Sequence, residues 1–89
     1  MVEALPEKYY NDSHLPGAIQ MDHLEVNDKA PSLLVNKESK VVVYCANTEC
    51  HNSTKAARAL DGLGYTNVYE YAEGKQDWLE AGFPVKSGK

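Results

Sequence analysis

Two cysteines, Cys45 and Cys50, are the side chains of this sequence best suited to covalent chemistry, and they stand five positions apart in VVVYCANTECHNSTKAA, residues 41–57. A thiolate is both a nucleophile and a soft metal ligand, while an unionised cysteine packs as a small hydrophobe. Four readings are therefore open: a nucleophile in an anion-cradling loop, a redox pair, half of a metal site, or two core cysteines that are merely close. Position favours a nucleophile at Cys45, which follows four strand-like residues and precedes a polar segment leading into a helix. Such a segment can curl its backbone N–H groups inward, and a helix N-terminus adds partial positive charge; both lower a thiol pKa and hold anions. Cys50 sits within that segment, about one turn from the helix start, and is the candidate for a resolving or alternative nucleophile. A thiol activated this way needs no base, so His51 reads as a loop residue. Zinc bound by Cys45, Cys50, His51 and His14 would have to gather separated segments without a CxxC knuckle. No metal and no cofactor is expected. Ser53 and Thr54 read as caps, with Ser53 at or near the N-cap.

The elements that must position these residues follow from the pattern. KVVVYC, 40–45, is a continuous β-branched and aromatic run, the mark of a strand covered on both faces and so central and parallel. Residues 53–65 place Ala56, Ala57, Leu60 and Leu63 at helical spacing, with Gly64 where a helix closes. NVYEYA, 67–72, reads as a second strand, and 74–85 as a short helix stopped by Gly82 and Pro84. Upstream, PEKYYND, 6–12, reads as a short helix with Pro6 at its start. Pro16 and Gly17 make a turn, Ala18 to Met21 begin an extended segment, and a further helix is expected from near Pro31, with Leu33 and Leu34 inward. Alternating strands and helices predict a parallel α/β sheet, whose ligands bind outside the carboxyl ends of the strands. Cys45 falls at such an end.

The composition narrows the functions. With 89 residues the chain reads as one small domain, 1–89, burying only about 60% of its unfolded surface. Nine basic against thirteen acidic residues, net −4, leave no electrostatic footprint for nucleic acid or an anionic membrane. No apolar run approaches the roughly 20 residues of a membrane span, and MVEALPEKYY has neither the basic nor the apolar region of a signal peptide. A cytoplasmic location with reduced cysteines is the expectation. Oligomeric state is not encoded in any feature of the sequence.

Four segments in order resemble a single-domain rhodanese. HLPGA, 14–18, resembles that family's GHIPGA signature; VVVYC, 41–45, the strand entering its catalytic cysteine; 53–74 its helix, strand and turn; and DWLEAGFPV, 77–85, its closing W-x-x-x-G-x-P segment. The resemblance implies a three-layer α/β fold with a small central parallel sheet flanked by helices. It implies a sulfurtransferase in which Cys45 attacks a sulfane sulfur donor, becomes a persulfide and passes the sulfur to a thiol or cyanide. The loop Ala46, Asn47, Thr48, Glu49, Cys50, His51, Asn52 and Ser53 would cradle the donor. Its partners would be a small sulfur-containing donor and a thiol acceptor, free or on a protein.

The chain departs from that pattern in ways that bear on the donor. Seven residues, not the family's usual five, separate Cys45 from Ser53, and they include no Arg, Lys or Gly. Anion binding then falls to backbone donors with Asn47, Asn52 and Lys55, and Glu49 repels a dianion such as thiosulfate; the expected donor is thiosulfate or, in preference to it, a persulfide or polysulfide. Glu3 and Leu5 stand where the family has Asp-x-Arg, which removes one cation. Phosphatases and arsenate reductases on a similar fold need a loop Arg for the oxyanion, so phosphatase activity is set aside. Two further readings stay open: a binding or regulatory module without turnover, and a Cys45/Cys50 dithiol switch.

Overall fold

A computed structural model describes residues 1–88. Among these residues four strands form one parallel sheet in the order β2-β1-β3-β4, with β1 at Val2–Glu3, β2 at Ile19–Gln20, β3 at Val41–Tyr44 and β4 at Val68–Tyr71. The apolar run indeed makes β3 an inner strand: Val43 pairs with Val2 on one side and Val41 with Val68 on the other.

Successive strand residues point to opposite faces of a sheet, and here the two faces differ chemically. Val2, Val41 and Val43 go to one face and pack with Met21, Val26, Ala30, Ala56, Leu60 and Tyr65. Helices α2 (Val26–Leu33) and α3 (Asn52–Gly62) cover that side. Tyr44 goes to the other face, with Leu15, Ala18, Tyr10, Tyr71 and Trp78 around it, under α1 (Glu7–Asp12) and α4 (Gly74–Glu80). Helix, sheet and helix thus make three layers, the expected fold class.

Helix α3 buries Ala56 and Leu60 and half-buries Ala57 and Leu63, as their spacing predicts. It ends in a Schellman motif: Gly64, at φ +95°, donates to the Asp61 carbonyl (3.0 Å) and Tyr65 to that of Leu60 (3.1 Å). α4 stops just before Gly82, whose φ is +82°.

Three expectations are corrected. Helix α2 begins at Val26, not near Pro31, and Pro31 lies inside it. The missed start signal is the capping box of Asp22 and Glu25, which opens a short 3-10 turn at His23–Glu25 that leads into α2. In that frame Leu33 is 52% exposed, and only Leu34 packs inward. Strand β1 has two residues, too few to show alternation. Ser53 is no cap: α3 starts at Asn52 with His51 at the N-cap position and no side-chain cap bond. None of the helices described is long and apolar enough to cross a membrane.

Candidate active site

Cys45 leaves β3 at its carboxyl end and is fully buried. The first N–H groups of a helix have no partner within it, and those of α4 find theirs in the chain leaving β3. Lys75 N donates to the Cys45 carbonyl (2.9 Å) and Gln76 N to that of Ala46 (2.8 Å). So close an approach requires Gly74. Its φ is +66°, and a Cβ there would stand 2.4 Å from the Cys45 carbonyl oxygen.

Beneath this junction lies a buried polar group that the sequence did not foretell. Glu3 is fully buried, and its Oε1 accepts from the Tyr44 hydroxyl (2.8 Å) and pairs with Lys75 Nζ (3.0 Å). Lys75 also donates to the Tyr9 carbonyl (3.0 Å), and Leu15 N donates to the Tyr44 oxygen (3.1 Å). A buried carboxylate is tolerable only with such partners. Burial, with the neighbouring Glu3 carboxylate, holds the Tyr44 phenol well above its usual pKa. Leu5, at the position of the family's Arg, is apolar and buried. The cation facing Glu3 comes instead from Lys75, near the other end of the chain, and no spacing in the sequence signals that pairing.

The loop beyond Ala46 is held differently. A turn runs from Asn47 to Cys50, closed by Cys50 N donating to the Asn47 carbonyl (3.1 Å) and Glu49 N donating to Asn47 Oδ1 (3.0 Å). Two of the amides expected to cradle an anion are thus spent within the loop. Thr48, Glu49 and His51 are exposed, Ala46, Asn47, Cys50 and Asn52 half-buried, and Ser53 buried. The Ser53 and Thr54 hydroxyls donate to Glu70 of β4, at 3.2 and 2.7 Å, and so tie the start of α3 to the sheet. Cys45 and Cys50 are bonded as a disulfide with Cα atoms 6.1 Å apart, inside the usual range of about 4.4–6.8 Å. The expected reduced pair is not what the structure holds. His14 lies elsewhere, its ring stacked on Tyr10 at 3.8 Å and its Nδ1 2.9 Å from the Tyr10 carbonyl. No three metal-ligating side chains gather among the described residues.

A cavity of about 200 Å³ adjoins the loop, lined by Asn47, Thr48, Glu73, Gln76, Asp77 and Glu80. Three carboxylates and no cation line it. Tyr71 donates to Asp77 Oδ2 at 2.6 Å, and that bond, with the charges of Asp77 and Glu73, pushes its phenol up to about 12.

A three-layer α/β fold with a parallel sheet, carrying a cysteine at the carboxyl end of an inner strand ahead of a loop and a helix, defines the structural class of the chain. Within that class the chain belongs to the rhodanese-like domain family, whose model matches residues 1–81. It is 30% identical over 88 residues to the HTH-type transcriptional regulator Rv0324 of Mycobacterium tuberculosis, covering 99% of this chain but only 38% of that regulator. Among solved structures it is similar to the BH2092 protein of Bacillus halodurans (28% identity, TM-score 0.89, covering 97% of this chain and 61% of that one). It is also similar to a rhodanese with anions from E. coli (29%, TM-score 0.80, 98% and 95%).

Proposed function

We propose that residues 1–89 act as one rhodanese-like unit and carry sulfur transfer through a persulfide on Cys45. The observation that carries this reading is the anchoring of Cys45 at the carboxyl end of β3, its carbonyl bonded to Lys75 N and its approach shaped by Gly74. A sulfur so fixed is a preorganised nucleophile. In the reduced protein the Cys45 thiolate attacks the outer sulfur of a donor R–S–SH, forming Cys45–S–SH and expelling R–S⁻. An acceptor thiolate, free or on a protein, then takes that outer sulfur and regenerates Cys45. Cys50 offers a second exit, since its thiolate can attack the Cys45 sulfur, re-form the disulfide and expel HS⁻. Glu49 and the carboxylates of the adjoining cavity disfavour thiosulfate, so the donor is a persulfide or polysulfide.

A specific observation favours a second reading, a sensing module without turnover: the likeness to a segment of an HTH-type transcriptional regulator. Turnover separates the two. With the protein kept reduced, sulfide and thiocyanate release from an organic persulfide is measured for the wild type, Cys45→Ser and Cys50→Ser. Turnover abolished in Cys45→Ser and retained toward cyanide in Cys50→Ser supports the transferase. Release no faster than without protein supports the sensor.

A further inference from the structure

We propose that the Cys45–Cys50 disulfide is itself a reaction site, opened by an external thiol at Cys50, and that the thiols it takes best are small aminothiols. Thiol–disulfide exchange needs a thiolate to reach one sulfur, with the other as leaving group. The two sulfurs differ in access. Cys45 is fully buried, with the first turn of α4 bonded to its carbonyl, whereas Cys50 is half-buried on the turn that begins at Asn47. The incoming thiolate therefore meets Cys50 Sγ, and Cys45 departs as the thiolate.

The same turn supplies one wall of the cavity, through Asn47 and Thr48, while Glu73, Asp77 and Glu80 supply the facing charge. None of those three carboxylates has an ion-pair partner among the described residues. At about 200 Å³ the space is smaller than the roughly 300–1,000 Å³ of drug-sized ligand sites, and suits a molecule the size of an aminothiol. A cation entering it is attracted, and an anionic thiol is repelled.

The steps balance. R–S⁻ attacks Cys50, giving the mixed disulfide R–S–S–Cys50 and Cys45–S⁻. A second R–S⁻ attacks the R-side sulfur, giving R–S–S–R and Cys50–S⁻. Two thiols are oxidised, one disulfide is reduced, and the product is the dithiol. Only the disulfide and thiols take part, so this activity stands whether or not Cys45 carries sulfane sulfur.

Oxidised protein is treated with limiting cysteamine, 2-mercaptoethanol or 3-mercaptopropionate, quenched with N-ethylmaleimide and mapped by peptide mass. Each rate per thiolate is divided by that of the same thiol with hydroxyethyl disulfide, which removes differences in intrinsic reactivity. The thiol adduct is expected on Cys50 with maleimide on Cys45. After this correction cysteamine should exceed mercaptopropionate by about tenfold, the lower end of what a charged cleft gives. The ratio should shrink severalfold in Glu73→Gln/Glu80→Gln, both exposed positions, with the 2-mercaptoethanol rate held. An adduct on Cys45, or a corrected ratio near one, overturns the proposal.

Discussion

The two ends of the cysteine loop are built on opposite principles. At the Cys45 end, β3 is paired on both sides, α4 is stitched to the departing chain through Lys75 and Gln76, and the Glu3–Lys75–Tyr44 group is buried beneath. At the Cys50 end a four-residue turn is closed by one backbone bond and one side-chain bond, and most of it meets solvent. The disulfide thus joins a firmly held strand end to a segment that has few other ties. That difference fits the roles proposed above, Cys45 as the carrier whose geometry is kept and Cys50 as the resolving thiol that approaches it.

The contrast can be broken most severely at Lys75. Lys75→Met leaves Glu3 buried without its cation and should cost roughly 3–5 kcal/mol in urea unfolding, much of what a domain this size possesses. Adding Glu3→Gln should recover at least half of that loss; failure to recover would show that the pair is not what holds α4 to the sheet. Gly74→Ala is next, at about 2–4 kcal/mol, because its Cβ meets the Cys45 carbonyl and the φ is left-handed. By comparison Gly64→Ala, also left-handed but with no atom nearer than 3.7 Å, should cost only about 1 kcal/mol.

Alkali probes the same end more gently. The folded-state pKa of Tyr44 lies above its unfolded value of about 10, so the two states bind equal protons below that pH. Above it the unfolded chain ionises first, and stability falls as pH rises; Tyr71, at about 12, adds to the same decline. Tyr44→Phe should flatten the slope, as read by denaturant midpoints between pH 9 and 11. The smallest effect belongs to the other end. Asn47→Ala removes the bond to Glu49 N and should cost no more than about 1 kcal/mol, while raising the reactivity of Cys50 toward maleimide in the reduced protein.

What the sequence made legible was local. The β-branched run of β3, the 3.6-residue period of α3 and the glycine that closes it each act through neighbours in the chain, and each reads correctly. So does Cys45 as a strand-end residue. The start of α2 is set by the Asp22–Glu25 box and not by Pro31, which the short helix absorbs. The pairing of Glu3 with Lys75, the need for Gly74 and the attachment of Ser53 and Thr54 to Glu70 all depend on tertiary placement. No periodicity could carry them. The acidic cavity is of the same kind, joining a loop and a helix that lie far apart along the chain.

Most direct is a test of the central claim, that Cys45 is the sulfur carrier. Reduced protein, freed of reductant, is exposed to an organic persulfide and, separately, to thiosulfate, and its intact mass is recorded for the wild type, Cys45→Ser and Cys50→Ser. The account predicts a one-sulfur adduct from the persulfide that survives in Cys50→Ser, disappears in Cys45→Ser and forms poorly from thiosulfate. An adduct that persists in Cys45→Ser and vanishes in Cys50→Ser would contradict it and place the carrier in the loop.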